Sequence, residues 1–180
     1  MTHVICLHVE NQQGVLARIS GLFSGRGYNL ESITAGVTTD PTVTRITLAC
    51  TGDDAVVEQI KKQLNRLIDV IKVTDLTDEE HIGREMVFVR VNAEPANRGE
   101  ILRINEIFRG RIVDVTPTSY TIEITGEVKK VAAFLELLQP FGIQEIVRSG
   151  TLAIARGSKS LPKREEGRLR VAGRKSVATD

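Results

Sequence analysis

The apolar positions of this chain change period at regular intervals, and each change marks an element. Residues 3–10 alternate, with Ile5, Leu7 and Val9 on one face, which predicts a half-buried strand. After a polar turn, Asn11-Gln12-Gln13-Gly14, the spacing lengthens. Leu16, Ile19 and Phe23, flanked by Val15 and Leu22, recur as on a helix running to about Arg26. Gly25 and Gly27 supply its stop, since glycine accepts the left-handed conformation common at helix C-termini. Residues 29–38 and 42–51 alternate again, with Ile33, Ala35 and Val37 on one face of the first strand and Ile46, Leu48 and Cys50 on one face of the second. Asp40-Pro41 between them is a hairpin signal. Asp53-Asp54 opens a second helix with the stripe Val56, Ile60, Leu64 and Leu67, and residues 68–76 close as a strand. The order β-α-β-β-α-β is the split βαβ, or ferredoxin-like, arrangement of the α+β class.

The same order then returns. Residues 77–83 are polar and aperiodic and read as a linker. Residues 85–93 form a strand pattern, 99–108 a helix, 112–116 and 120–125 a hairpin, and 128–138 a second helix. Residues 143–155 close as a strand bent at Ser149-Gly150. Phe23-Ser24-Gly25-Arg26 and Phe108-Arg109-Gly110-Arg111 share F-x-G-R at an offset of 85, which together with the element order points to a duplication. Two ferredoxin-like βαββαβ domains in tandem are expected, residues 1–76 and 84–156, followed by a basic tail at 157–180.

Charge and chemistry narrow the function more by exclusion than by signature. The net charge of +1 gives no global reason for a nucleic-acid partner, although residues 157–180 carry seven Lys/Arg against three Asp/Glu. No apolar run is long enough to span a bilayer, and the first residues show no charged region followed by an apolar one, so a cytoplasmic protein without a signal peptide is expected. Cys6 and Cys50 make no CxxC and are expected on opposite faces of a sheet, unpaired, as in a reducing compartment. His3, His8 and His81 are scattered and read as surface or strand-edge residues rather than metal ligands or bases. Asp53-Asp54 and Glu79-Glu80 read as helix-dipole and solvated acids rather than catalytic pairs. No nucleophile, phosphate-loop or zinc motif occurs, so neither catalytic nor metal-ligating residues are assigned. The element order also suits RNA-binding domains, but their base-stacking aromatics are absent from residues 3–9 and 44–51.

What remains is the turn at residues 11–14. A polar turn with a glycine before a helix leaves backbone N–H groups free for a carboxylate, and Asn11 offers both a donor and an acceptor. Asn29 opens the second strand, an edge strand in this topology, and an exposed edge is covered if two copies pair. Such a dimer would bring Asn29 of one chain near the turn of the other, with Val15, Leu16, Ile33 and Val37 around a ligand side chain. An ordinary helix-starting turn accounts for the same residues. Across the 85-residue offset, Gly99 falls on Gly14, Ala96 on Asn11, Glu100 on Val15 and Asp114 on Asn29. Acids there would repel a carboxylate, so the second domain is expected not to bind the amino acid.

The run Glu10-Asn11-Gln12-Gln13-Gly14-Val15-Leu16-Ala17-Arg18-Ile19, with Gly21-Leu22-Phe23 and Arg26-Gly27-Tyr28-Asn29-Leu30-Glu31-Ser32-Ile33, resembles the ACT domain of the acetohydroxyacid (acetolactate) synthase small-subunit family. So do Glu106-Ile107-Phe108-Arg109-Gly110, Ile112-Val113-Asp114-Val115-Thr116-Pro117 and Arg148-Ser149-Gly150, in order across about residues 3–157. The resemblance implies a non-catalytic regulatory subunit with no cofactor of its own. Its partner would be a catalytic large subunit, to which thiamine diphosphate, Mg and FAD belong, and valine, leucine or isoleucine would inhibit the complex. It also implies a homodimer whose ACT interface holds the effector, matching Asn11, Gly14, Val15, Leu16, Asn29, Leu30 and Ile33 here. The second domain would face the catalytic subunit, with Arg109, Arg111 and Arg148 as candidate contacts. The residues themselves leave open an amino-acid sensor for another enzyme or a transcriptional response, and a nucleic-acid binder acting through the tail.

Overall fold

The computed structural model describes residues 2–157, so the rest of the tail expected at 157–180 lies outside the described residues. The chain divides into two compact units, one ending at Glu80 and rejoined from Ala155, the other spanning His81–Ile154. In the first, β1 (Thr2–Glu10), α1 (Val15–Gly25), β2 (Asn29–Val37), β3 (Val43–Thr51), α2 (Asp54–Leu64) and β4 (Val70–Asp75) give a sheet of order β2-β3-β1-β4. All its pairings are antiparallel, and β2 is an edge strand as the topology requires. Both helices cover one face. Val15, Ile19 and Phe23 of α1 and Val57, Ile60 and Leu64 of α2 close over Ile5, Leu7 and Leu48 in one buried cluster. Each such side chain contributes roughly 1.5–3 kcal/mol on burial, which is what holds two eleven-residue helices that would be marginal alone. Asp53 caps α2 by accepting from the Val56 N–H at 2.8 Å.

The second unit repeats the plan. It contains β5 (His81–Asn92), α3 (Arg98–Phe108), β6 (Arg111–Val115), β7 (Ser119–Gly126), α4 (Val128–Leu138), a turn of 3-10 helix, β8 (Ile143–Arg148) and β9 (Leu152–Ala155). The sheet order is β6-β7-β5-β8, and β9 also pairs with β5. The expected linker is therefore shorter than residues 77–83, because His81, Ile82 and Gly83 already belong to β5, which is long enough to serve two partners. The bend expected at Ser149-Gly150 divides the closing strand into β8 and β9, with Gly150 at φ 78°.

Two readings at single residues change. Cys6 and Cys50 do lie on opposite faces, opposite Thr47 and His3, and both are buried and outside any disulfide. Burial, with Asp75 and Glu31 nearby, pushes the Cys50 thiol up to about 11. The histidines of β1, however, are not surface groups, because β1 is a central strand. His3 and His8 are 3% and 5% exposed. Arg45 Nη1 lies 3.3 Å from His8 Nε2, and a guanidinium can only donate, so this ring nitrogen accepts. Burial first, then the charges of Arg45 and Lys72, pull the His8 imidazole from 6.5 down to about 4.

That shift has a stability consequence whose sign is fixed. The unfolded chain protonates near pH 6.5 and the folded one only near pH 4, so the unfolded state binds more protons between these values. The contribution is complete above pH 6.5 and declines as pH falls, by about 2 kcal/mol between pH 7.5 and pH 5. Urea titrations at these two pH values are expected to show the lower midpoint at pH 5, with His8→Gln removing that share of the difference. Asp75 does not confuse this window. Burial raises its carboxyl, but hydrogen bonds from Thr77 and Lys61 outweigh it and hold it below 3.8.

Candidate functional site

The turn between β1 and α1 hangs from backbone. Glu10 N–H donates to the Asp69 carbonyl at 2.9 Å, and Asn11 N–H to the Thr42 carbonyl at 2.8 Å. Asn11 Nδ2 donates to the Pro41 carbonyl at 2.9 Å, fastening the turn to the β2–β3 hairpin. The side-chain donor of Asn11 is thereby engaged, and Oδ1 is what it can offer a cationic ligand group. Gly14 follows at φ +82°, a left-handed conformation a side chain rarely adopts, and its carbonyl accepts the Arg18 N–H at 2.9 Å. No side chain caps α1, and its first turn holds no acid, so the partial positive charge of the helix start is uncompensated from within the helix. Val15 is 4% exposed and its side chain belongs to the core, which leaves its backbone N–H as its means of contact. Leu16 is about half exposed beside it.

Asn29, Leu30 and Ile33 do not join this turn within one chain. Asn29 lies opposite Thr51 and Val37 opposite Thr44, so β2 runs from the far end of the sheet towards the turn. At about 3.3 Å per residue, Asn29 is some 26 Å from the Val37 end. Asn29 Nδ2 donates to Thr51 Oγ1 at 2.9 Å, and Leu30 and Ile33 rest partly buried against the core. One chain keeps the two groups of residues apart.

Sequence reading missed Arg18. Its Nε donates to Asp69 Oδ2 at 2.7 Å, and Asp69 is 6% exposed. A Cβ on residue 14 would sit 3.1 Å from Arg18 Nη1, so the guanidinium lies over the glycine. An arginine four residues into a helix reads as a solvated charge. The available signal was its spacing from Gly14, since helical side chains lean towards the N-terminus.

The second unit keeps the hydrogen bonds that flank this turn, in a register of 82 rather than 85, but not its left-handed glycine or its helix start. Ala93 N–H donates to the Thr118 carbonyl as Asn11 does to Thr42, and Asn92 N–H to Gly142 as Glu10 does to Asp69. Gly110 N–H donates to Asn105 as Tyr28 does to Phe23, and Arg109 at φ 57° stands where Gly27 stands at φ 67°. The F-x-G-R match misleads because its phenylalanines sit at different depths of the two helices: Phe23 is core, whereas Phe108 is the last residue of α3. In this register Ala96, not Gly99, falls on Gly14 and Ala93, not Ala96, on Asn11, but α3 begins one residue later and its cap is Asn97, whose carbonyl accepts the Ile101 N–H. Glu100 takes the place of Arg18 and Arg111 that of Asn29; Gly99 lies within the first turn of α3.

Arg109 and Arg111 are exposed at one end of this sheet, near Ile107, which is 68% exposed. Arg148 stands at the same end on the opposite edge, and its Nη1 donates to Glu85 Oε1 at 2.6 Å. Glu85 is 5% exposed, so Arg148 is first of all the counter-ion of a buried carboxylate. Among the described residues there is no cluster of three metal-ligating side chains and no helix long and apolar enough to cross a membrane.

Residues 5–72 match the model of the AHAS small subunit-like ACT domain, and residues 84–157 that of the small subunit of acetolactate synthase. The acetolactate synthase small subunit of Aquifex aeolicus is 50% identical over 155 residues, covering 86% of this chain and 81% of that one. The chain belongs to the acetolactate synthase small-subunit family. The isozyme 3 small subunit of Escherichia coli is 44% identical over 88% of this chain and 98% of its own. The crystal structure of the Thermotoga maritima small subunit superposes with a TM-score of 0.79 at 38% identity, covering 88% of this chain and 99% of that one. The family thus spans both units and both candidate surfaces.

Proposed function

We propose that this chain is the non-catalytic regulatory subunit of an acetolactate synthase, and that it raises the activity of the catalytic subunit and confers feedback inhibition by valine or another branched-chain amino acid. The observation that carries the reading is the uncapped turn at Gly14 in the unit that matches the family's ACT domain. The amino-acid carboxylate meets the N–H groups at the start of α1, and its ammonium meets the Asn11 Oδ1. Two chains complete the site. Antiparallel pairing of the two β2 edges about Ile33 sets Asn29 of one chain against Val37 of the partner subunit, three strand spacings, about 14 Å, from the end of β1. Arg109 and Arg111, with Ile107, are the contacts offered to the catalytic subunit, while Arg148 serves Glu85. Thiamine diphosphate, Mg and FAD belong on this reading to that partner, in the cytoplasm.

Reconstitution tests it. Adding the chain to purified catalytic subunit is expected to raise acetolactate formation, and valine, leucine or isoleucine to lower it again. No change in either direction overturns the reading. The shared site makes a sharper forecast. Chains carrying Asn11→Ala and Asn29→Ala bind poorly alone, yet mixed and re-associated they recover about a quarter of the sites, because half of the dimers are mixed and each holds one intact site. Recovery of none overturns the shared site.

A further inference from the structure

We propose that Arg18 reads the carboxylate of the effector, with Asp69 as the residue that positions it; this rests on the effector reading above. Three observations converge on it. The guanidinium reaches back over Gly14, with Nη1 3.1 Å from where a Cβ would stand, so the glycine is what lets a cation occupy this place. Asp69 holds it from one side only, through Nε at 2.7 Å, and leaves the Nη donors facing the turn. Asp69 is itself fixed at the base of the same turn, since its carbonyl accepts the Glu10 N–H at 2.9 Å. The cation is half exposed while its anchor is buried, with side chains 46% and 8% exposed. A ligand carboxylate at the helix start therefore meets a guanidinium whose orientation is set before binding, and a planar fork suits two carboxylate oxygens.

The second unit supplies the internal contrast. Glu100 stands where Arg18 stands and Gly142 where Asp69 stands, with the three backbone hydrogen bonds that flank the turn kept. The fold needs neither member of the pair. Arg18 and Asp69 are accordingly assigned to the ligand rather than to the scaffold, and the second unit has the opposite charge at the decisive position.

The experiment crosses the protein's charge with the ligand's. Calorimetry on the full chain compares valine with valinamide, which keeps the ammonium and side chain but lacks the carboxylate. Wild type is expected to prefer valine, and Arg18→Gln to weaken valine binding by about 10- to 100-fold while changing valinamide by less than about threefold. Asp69→Asn should close part of the gap, and Arg18→Lys, which keeps the charge but not the fork, should retain part of it. A structural role alone would lower the melting temperature and weaken both ligands alike. An undiminished preference for valine in a folded Arg18→Gln or Arg18→Lys overturns the assignment and leaves the effector reading standing. If wild type binds none of the branched-chain amino acids, the effector reading falls and takes this one with it.

Discussion

Gly14→Asp is expected to abolish amino-acid binding while leaving the chain folded. The position has φ +82°, so any side chain there strains the turn, at a cost of roughly 1–3 kcal/mol. The aspartate would also stand against Arg18 and put a permanent anion at the helix start, where the ligand's carboxylate has to sit. Losing two charge-assisted hydrogen bonds corresponds to a loss of affinity of at least about 100-fold. Calorimetric titration of valine should show no heat, and the reconstituted synthase should remain active at valine concentrations that inhibit wild type. Gly14→Ala separates the contributions, since it brings the strain without the charge and should cost about tenfold. Unaltered valine affinity in Gly14→Asp removes the turn from the site.

Phe134→Ala carries the largest expected loss of stability. Phe134 is fully buried beneath the second sheet and meets Phe108 at a centroid distance of 5.4 Å. Truncation removes the ring from between α3 and α4 and leaves a cavity, for about 3–5 kcal/mol. Denaturant titration followed by circular dichroism should show the second unit unfolding first, and Phe134→Leu should recover most of the loss. Because the first unit has its own core, valine binding is expected to survive Phe134→Ala while activation of the catalytic subunit is lost. Simultaneous loss of both would mean that the two duties share one unit.

The fold was legible because its signals are local. Alternation in β1 and β3, the helical spacing of Leu16, Ile19 and Phe23, and Asp53 before α2 each name an element without reference to the rest of the chain, although Val15 rather than Leu16 is the one buried. Glycine in a polar turn likewise announced Gly14. Less legible was anything that depends on which strand lies in the middle: His3 and His8 look like polar outward residues until β1 proves central, with neighbours on both sides. Ile68 looked like strand and is 94% exposed, because β4 begins only at Val70. Arg18 and Asp69 are 51 positions apart, and nothing in either stretch foretells that they meet. The register of the repeat failed for a related reason, since three matching letters outweighed the helical phase of the buried residues.

The two turns also separate what the main chain requires from what the side chains are free to vary. Three main-chain hydrogen bonds, from Glu10, Asn11 and Tyr28 in one unit and from Asn92, Ala93 and Gly110 in the other, are the common inheritance. None of them depends on side-chain identity. Residue 93 therefore carries a methyl group where residue 11 carries an amide, and residue 100 an acid where residue 18 carries a cation, on the same flanking main-chain bonds.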